Sequence, residues 1–152
     1  MKEILLTQGK VALVDDEDFE KLNKVNWCFH SGYARRRGSI NGEQMGIHMH
    51  RVVNKTPDGL QTDHINGNKL DNRKLNLRTA TQSNNQHNRT KYACNKSGFK
   101  GVYFHKHCKR YQARIRIHTK LLNLGFFLTP EAAHAAYCEA AEKLHGDFAR
   151  TV

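Results

Sequence analysis

No stretch of this 152-residue chain stays apolar for long. Ile4 to Leu6 and Gly125 to Leu128 are among the longest such runs, far short of the roughly 20 residues that a membrane-spanning helix needs. The opening MKEILLTQGK lacks a secretory apolar core, so the protein is expected to stay inside the cell that makes it. Cysteine is sparse and poorly spaced for a staple. Cys28, Cys94, Cys108 and Cys138 form no C-x-x-C pair and match no zinc ribbon. They read as free, reduced thiols, which fits the cytosol. There is no repeat, no low-complexity tract, and no heptad to announce a partner helix. With 38% apolar residues and a mean hydropathy of −0.75 the chain can bury a core, though not a large one.

Acid is what runs short beyond residue 20. Lys2 and Lys10 face Glu3, Asp15, Asp16, Glu17, Asp18 and Glu20, a local balance of −4, so with +11 overall the remaining 132 residues carry +15. An excess of that size suits a polyanionic partner, because each neutralised phosphate releases counterions. A soluble basic protein with no nucleic-acid role is the blander reading.

Residues 3 to 14 predict a short strand and turn. Asp15 or Asp16 is placed to cap a helical turn carrying Phe19 and Leu22. Strands are expected at Trp27 to Phe29, at Tyr33-Ala34 and at Ile47 to His50, with Asn41-Gly42 as a hairpin turn. Asn76 to Thr79 is short enough for a strand, and Thr81 to Arg89 for a short helix. From Gly98 on the period becomes two: Val102 and Phe104, then Tyr111, Ala113, Ile115 and Ile117, then Leu122, Leu124 and Phe126. Such alternation predicts three half-buried antiparallel strands. Thr129-Pro130-Glu131 then starts a helix whose apolar stripe is Ala133, Ala136, Tyr137, Ala140 and Leu144, ended by Gly146.

Between these regions lies DHINGNKLDNRKLNLRTATQSNN, residues 63 to 85, short of apolar residues and rich in groups with chemistry. Phosphodiester hydrolysis needs a nucleophilic water, a base for its proton, and positive charge where the leaving oxygen develops. A hard cation such as Mg²⁺ takes oxygen ligands and keeps waters for a phosphate to displace. Asp63 and Asn85 can supply one carboxylate and one amide oxygen, and His64 can accept a proton near neutral pH.

Asp63-His64, eleven residues, Asn76-Leu77-Arg78, six residues, then Asn85: this pattern resembles the HNH endonuclease family, and within it the phage and intron-homing branch whose last position is Asn. The upstream HMHRVV resembles the His-Arg-hydrophobic strand that precedes the Asp-His pair there. The resemblance implies a two-stranded ribbon and one helix around a single divalent metal, Mg²⁺ with Mn²⁺ as substitute. It makes Asp63 and Asn85 metal ligands and His64 the general base, with Asn76 holding the loop and the base in position. It also implies products with 5′-phosphate and 3′-hydroxyl ends. The spacing favours Asn85 over the neighbouring Asn84. His48 with His50, and His105 with His107, share faces in this reading. Either pair would need further converging ligands to hold zinc, so exposed or DNA-facing histidines are the plainer account.

Between Ser97 and His118 stand six Lys or Arg and no acid. The alternation sets Arg110, Arg114 and Arg116, with Tyr103 and His105, on the face opposite the apolar one. A basic ribbon of this kind fits the major groove of double-stranded DNA, where Arg can bond guanine bidentately. The Gly-Val-Tyr at 101–103, the YQARIR strand, the LGFF at 124–127 and the helix EAAHAAY resemble the Apetala-two domain, the ethylene-response type of plant DNA-binding domain. The strand tryptophans of that domain are missing here, with Tyr111 where an aromatic is expected, so base preference does not transfer.

The chain as a whole reads as α+β. A β-rich segment over residues 1–47 leads into a ββα-metal core over 48–90. After a linker at 91–96, residues 97–152 form a three-stranded antiparallel sheet packed on one α-helix. The expected activity is metal-dependent cleavage of double-stranded DNA by a homing-type nuclease, with Arg35, Arg36 and Arg37 adding backbone contacts. Two other readings remain: a non-catalytic DNA-binding regulator on a decayed nuclease core, and a zinc-binding structural protein.

Overall fold

Short amphipathic runs broken by tight turns build a succession of small antiparallel sheets. The computed structural model describes residues 1–40, 42–88, 95–117 and 120–151, with the side chain of Ile40 left aside. The fold is α+β. The chain divides into two units, Met1–Gln82 and Ser83–Val152.

In the first unit β1 (Lys2–Leu5) pairs with β2 (Val11–Val14), Lys2 facing Val14. Ile4, Ala12 and Val14 go into the core from this hairpin. Helix α1 (Asp16–Leu22) follows. Its N-cap residue, Asp15, makes no side-chain cap bond; its carboxylate instead accepts the Lys74 backbone N–H at 2.7 Å. Trp27 is buried, and its indole N–H donates to the Leu22 carbonyl at the end of α1, 2.9 Å away.

The strands β3 (Cys28–His30), β4 (Tyr33–Ile40) and β5 (Glu43–His48) form the second sheet, in that order. Ile40 faces Glu43 in the register, and Gly42 takes φ +83°. The expected turn residue Asn41 lies outside the described residues.

The HMHRVV segment departs from expectation. It is not a strand: Met49–Asn54 is helix α2, with His48 at its N-cap. Alternation over so few residues does not separate helix from strand, and here burial of Met49, His50 and Val53 against the first-unit core selects the helix. Arg51 then donates to the carbonyls of Leu60, Thr56 and Pro57, which fixes the loop leading to the next strand.

That strand, β6 (Gln61–His64), pairs with β7 (Leu77–Ala80), His64 facing Leu77 and Asp63 facing Arg78. Asn76 is not in the strand, as its sequence position suggested, but ends a 3₁₀ turn before it. The loop between the two strands is stitched to the first hairpin. Leu13 N–H donates to Leu70 O and Asn72 N–H donates to Leu13 O, each at 2.8 Å.

Helix α3 (Gln82–His87) lies where a short helix was expected; Arg89 falls outside the described residues. In the second unit β8 (Val102–His105), β9 (Arg110–Ile117) and β10 (Lys120–Phe127) make an antiparallel sheet with β9 in the middle. Helix α4 (Pro130–His145) packs on it, burying Ala133, Tyr137 and Ala141. Thr129 Oγ1 caps it by accepting the Ala132 N–H at 3.2 Å.

Three details differ from the alternation. Phe104, expected on the apolar face of β8, is exposed. Leu144 is exposed, and Ala141 takes the buried place on the stripe. In β10 the register shifts between Asn123 and Gly125. Such a bulge inserts a residue and reverses which face follows, so Phe127 packs on the core while Phe126 is exposed; Leu122, before the bulge, is exposed as well. Gly101 shows how tightly α4 sits. A Cβ there would lie 2.1 Å from the Tyr137 ring, and its φ of +75° favours glycine in any case. No helix among the described residues is long and apolar enough to cross a membrane.

Candidate active site

Asp63 and His64 end β6 and are both buried, at 4% and 6% exposure. The ribbon explains Asp63. Pairing β6 with β7 sets Arg78 directly opposite, and its Nε and Nη2 reach Asp63 Oδ2 at 2.8 and 2.7 Å. These bonds hold and orient the carboxylate.

Beside His64, the loop turns on amide side chains. Asn66 Oδ1 accepts the Asn68 N–H, and Asn68 Oδ1 accepts the Leu70 N–H. Asn66 Nδ2 donates to Asp71 Oδ2. Asp71 is itself gripped by Arg73 through two bonds of 2.7 Å, which hold its carboxyl below its ordinary value. Asn76 closes the loop: its Oδ1 accepts the Asn66 N–H at 2.9 Å, and its Nδ2 donates to the Asp71 carbonyl at 2.8 Å. A stretch poor in apolar residues is therefore well ordered, because Asn and Asp side chains satisfy the backbone where no ladder can.

His64 sits between this loop and a cluster of rings. Its Nε2 lies 3.4 Å from Asn72 Oδ1, and Asn72 is fully buried. The His50 ring meets His64 edge-on at 5.1 Å, and the Tyr33 ring lies 6.2 Å away. Burial pushes the His64 imidazole below its ordinary value, opposed by Asn72, Asp63 and Asp71. The side chain is thereby held neutral at pH 7, the state in which it can accept a proton. His50 is pushed down to about 3, by burial first and then by the charges of His64 and His48.

His48 and His50 do lie together, with stacked rings 5.2 Å apart. They share no strand face, however: one ends β5 and the other lies in α2. Among the described residues, the one group of three acidic, His or Cys ligands close enough to hold an ion is Asp15, Glu17 and Asp18. Lys74 Nζ already bridges Glu17 and Asp18 there, at 2.7 and 3.3 Å.

Arg35, Arg36 and Arg37 alternate along β4. Arg35 and Arg37 share the face that carries Tyr33 and His48, while Arg36 turns to the other side and lies over the Trp27 ring. Asn85 is on α3, which belongs with the second unit apart from its first residue.

In that unit the Arg114 guanidinium stacks 3.9 Å above the exposed Tyr103 ring. His105 faces Arg110 in the register and meets Phe126 edge-on at 5.6 Å. Arg116 is exposed further along the same strand. The first unit contains site neighbours that the sequence did not single out: Asn66, Asp71, Asn72, Tyr33 and Lys69. The one signal for Asn66, Asp71 and Asn72 was the density of Asn and Asp between Asp63 and Asn76; Tyr33 and Lys69 had none.

Residues 49–87 match the HNH endonuclease family. The matched segment contains α2, both ribbon strands, the amide loop and α3. Over 149 residues the chain is also 28% identical to an uncharacterised HNH endonuclease of Acanthamoeba polyphaga mimivirus, an alignment covering 93% of this chain and 74% of that one. No solved structure matches the chain.

Proposed function

We propose that this protein is a divalent-metal-dependent DNA endonuclease of the homing type. The observation that carries the reading is the Asp63-His64 pair, buried and braced from both sides inside the segment that matches the HNH family. His64 accepts the proton of the attacking water. Asn72 and the His50 ring border it, and Asn76 holds the loop against which it stands.

Asp63 and Asn85 would hold the metal, Mg²⁺ with Mn²⁺ able to substitute. A carboxylate and an amide oxygen are hard donors suited to such a cation, and Arg78 holds the Asp63 carboxylate in place at the end of β6. When bound, the cation supplies positive charge to the phosphate and to the leaving 3′ oxygen. The products carry 5′-phosphate and 3′-hydroxyl ends.

Residues 97–152 act as the DNA-reading module, joined by 91–96 to a nuclease core over 48–90. Tyr103, His105, Arg110, Arg114 and Arg116 present a basic, aromatic-bearing sheet to the major groove of double-stranded DNA. Arg35, Arg36 and Arg37 touch backbone phosphates, which position the duplex without reading it. The Arg114–Tyr103 stack and the likeness to the Apetala-two domain support this assignment.

Nicking of supercoiled plasmid by wild type and by His64→Ala, each with Mg²⁺ and with EDTA, tests the scheme. Wild type is expected to nick only with the metal. Loss of the base lowers the rate by about 10²–10⁴ while DNA binding survives. Tight binding without cutting by wild type would make the protein a non-catalytic DNA-binding regulator instead.

A further inference from the structure

The hairpin of β1 and β2 lies outside residues 49–87, yet it reaches His64 through one buried side chain. Leu13 in β2 forms a parallel bridge with Asp71. Its N–H donates to Leu70 O and its carbonyl accepts the Asn72 N–H, both at 2.8 Å. Asn72 is 0% exposed. The hairpin therefore fixes the backbone from which the Asn72 amide projects.

That amide can sit only one way round. Asn72 Nδ2 donates to the Leu70 carbonyl at 3.2 Å. A carbonyl only accepts, so the nitrogen belongs on that side and the oxygen on the other. Asn72 Oδ1 is the atom that faces His64 Nε2, 3.4 Å away. An amide oxygen also only accepts, so the imidazole nitrogen that meets it must carry a hydrogen. A neutral imidazole has one N–H. With Nε2 protonated, Nδ1 holds the lone pair. The carboxylates bordering the loop are engaged elsewhere, Asp63 by Arg78 and Asp71 by Arg73 and Asn66.

We propose that Asn72 is a positioning residue whose Oδ1 holds His64 in the Nε2–H tautomer, which makes Nδ1 the atom that takes the proton of the attacking water. The role in cleavage rests on the nuclease reading; the tautomer does not. Water gives its proton to Nδ1 and keeps the electron pair of the broken O–H bond for attack on phosphorus. The imidazole becomes imidazolium, and its Nε2–H, now on a charged ring, donates more strongly to Oδ1. A base oriented by a third group is the arrangement that activated nucleophiles use. Here the third group is seated by the N-terminal hairpin.

Nuclear magnetic resonance of protein carrying ¹⁵N-labelled histidine, in metal-free buffer at neutral pH, reads the tautomer directly. His64→Ala identifies the His64 signals. Wild type is expected to show His64 protonated at Nε2 and bare at Nδ1, with a slowly exchanging ring N–H. Asn72→Ala should lose that slow N–H and mix the tautomers. With Mg²⁺ it should nick plasmid roughly tenfold to a hundredfold more slowly at unchanged DNA affinity, the usual cost of losing a group that orients a functional histidine. Asn72→Asp separates positioning from simple support of the loop. Its carboxylate offers no N–H to Leu70 O but keeps an acceptor for His64, so it should restore the Nε2–H signal and part of the lost rate. Where Asn72→Ala fails to fold, the wild-type tautomer and Asn72→Asp carry the decision. A wild-type His64 protonated at Nδ1 overturns the proposal, as does loss of the Nε2–H signal in Asn72→Asp. If that signal is present in wild type and lost in Asn72→Ala while wild type fails to nick, the tautomer lock stands and the nuclease reading falls.

Discussion

Asn76 uses one amide for two opposite tasks, accepting from Asn66 and donating to Asp71. Asn76→Ala orphans a backbone N–H and a carbonyl together, at a cost of about 2 kcal/mol or more. Urea unfolding should show this as a lower midpoint at unchanged slope; an unmoved midpoint would mean that the loop stands without its clasp. His50 gives a prediction in pH. It stays neutral in the fold down to about 3, whereas in the unfolded chain it protonates near 6.5. Between those values the unfolded state binds the extra proton, so stability is full above about 6.5 and falls as pH drops toward 3. At pH 4.5 the loss is about 2–3 kcal/mol. His50→Phe should flatten the melting temperature between pH 7.5 and 4.5 relative to wild type. Equal pH slopes in both proteins would show that other groups carry the acid sensitivity. Asp63, His64 and Asn76 stood out by their types and spacing, and the structure buries the first two at the end of β6 and sets Asn76 in the loop beside them. Asn66, Asp71 and Asn72 did not stand out, since the value of a side-chain hydrogen bond depends on where the backbone returns.

Elements were easiest to read where one face repeats over many residues. The three strands β8, β9 and β10 and helix α4 form where their periods predict, β9 with its alternation intact, and Thr129, Pro130 and Gly146 bound the helix as their chemistry requires. The errors fell where the period was short or interrupted. HMHRVV offers only six residues, and the core claims them as helix. In β10 a bulge reverses the faces half-way along, so a period of two continued through Leu124 puts Phe126 on the wrong side. Gly101 marks the tightest approach between sheet and helix in the second unit. Gly101→Ala should lower stability by about 2–4 kcal/mol, because a Cβ meets the Tyr137 ring and the backbone there takes positive φ. A calorimetric melt checks it, and an unchanged transition would mean that Tyr137 moves aside freely.

At the level of the molecule the dominant fact is charge. Of the net charge of +11, residues past 20 carry +15 against −4 before them, while the acids Glu17 and Asp18 near the N-terminus are tied to Lys74. DNA affinity should therefore fall linearly with the logarithm of salt concentration, and His64→Ala should share the wild-type slope, since a neutral base contributes no counterion release. Electrophoretic titrations at several salt concentrations decide this. Salt-insensitive binding would remove the basis for a DNA partner.

Composition, charge and motif spacing were enough to reach the α+β class, the HNH likeness and the basic character of the C-terminal sheet, because each depends on residue type or on a short repeat. Tertiary structure alone decided that Arg78 faces Asp63, that Asn76 clasps the loop, and that His50 reaches His64 from a helix. It also placed Lys69 on Tyr33. Those relations join residues far apart in the chain, and contacts of that kind are set by how strands pair and where loops return, which no local pattern encodes.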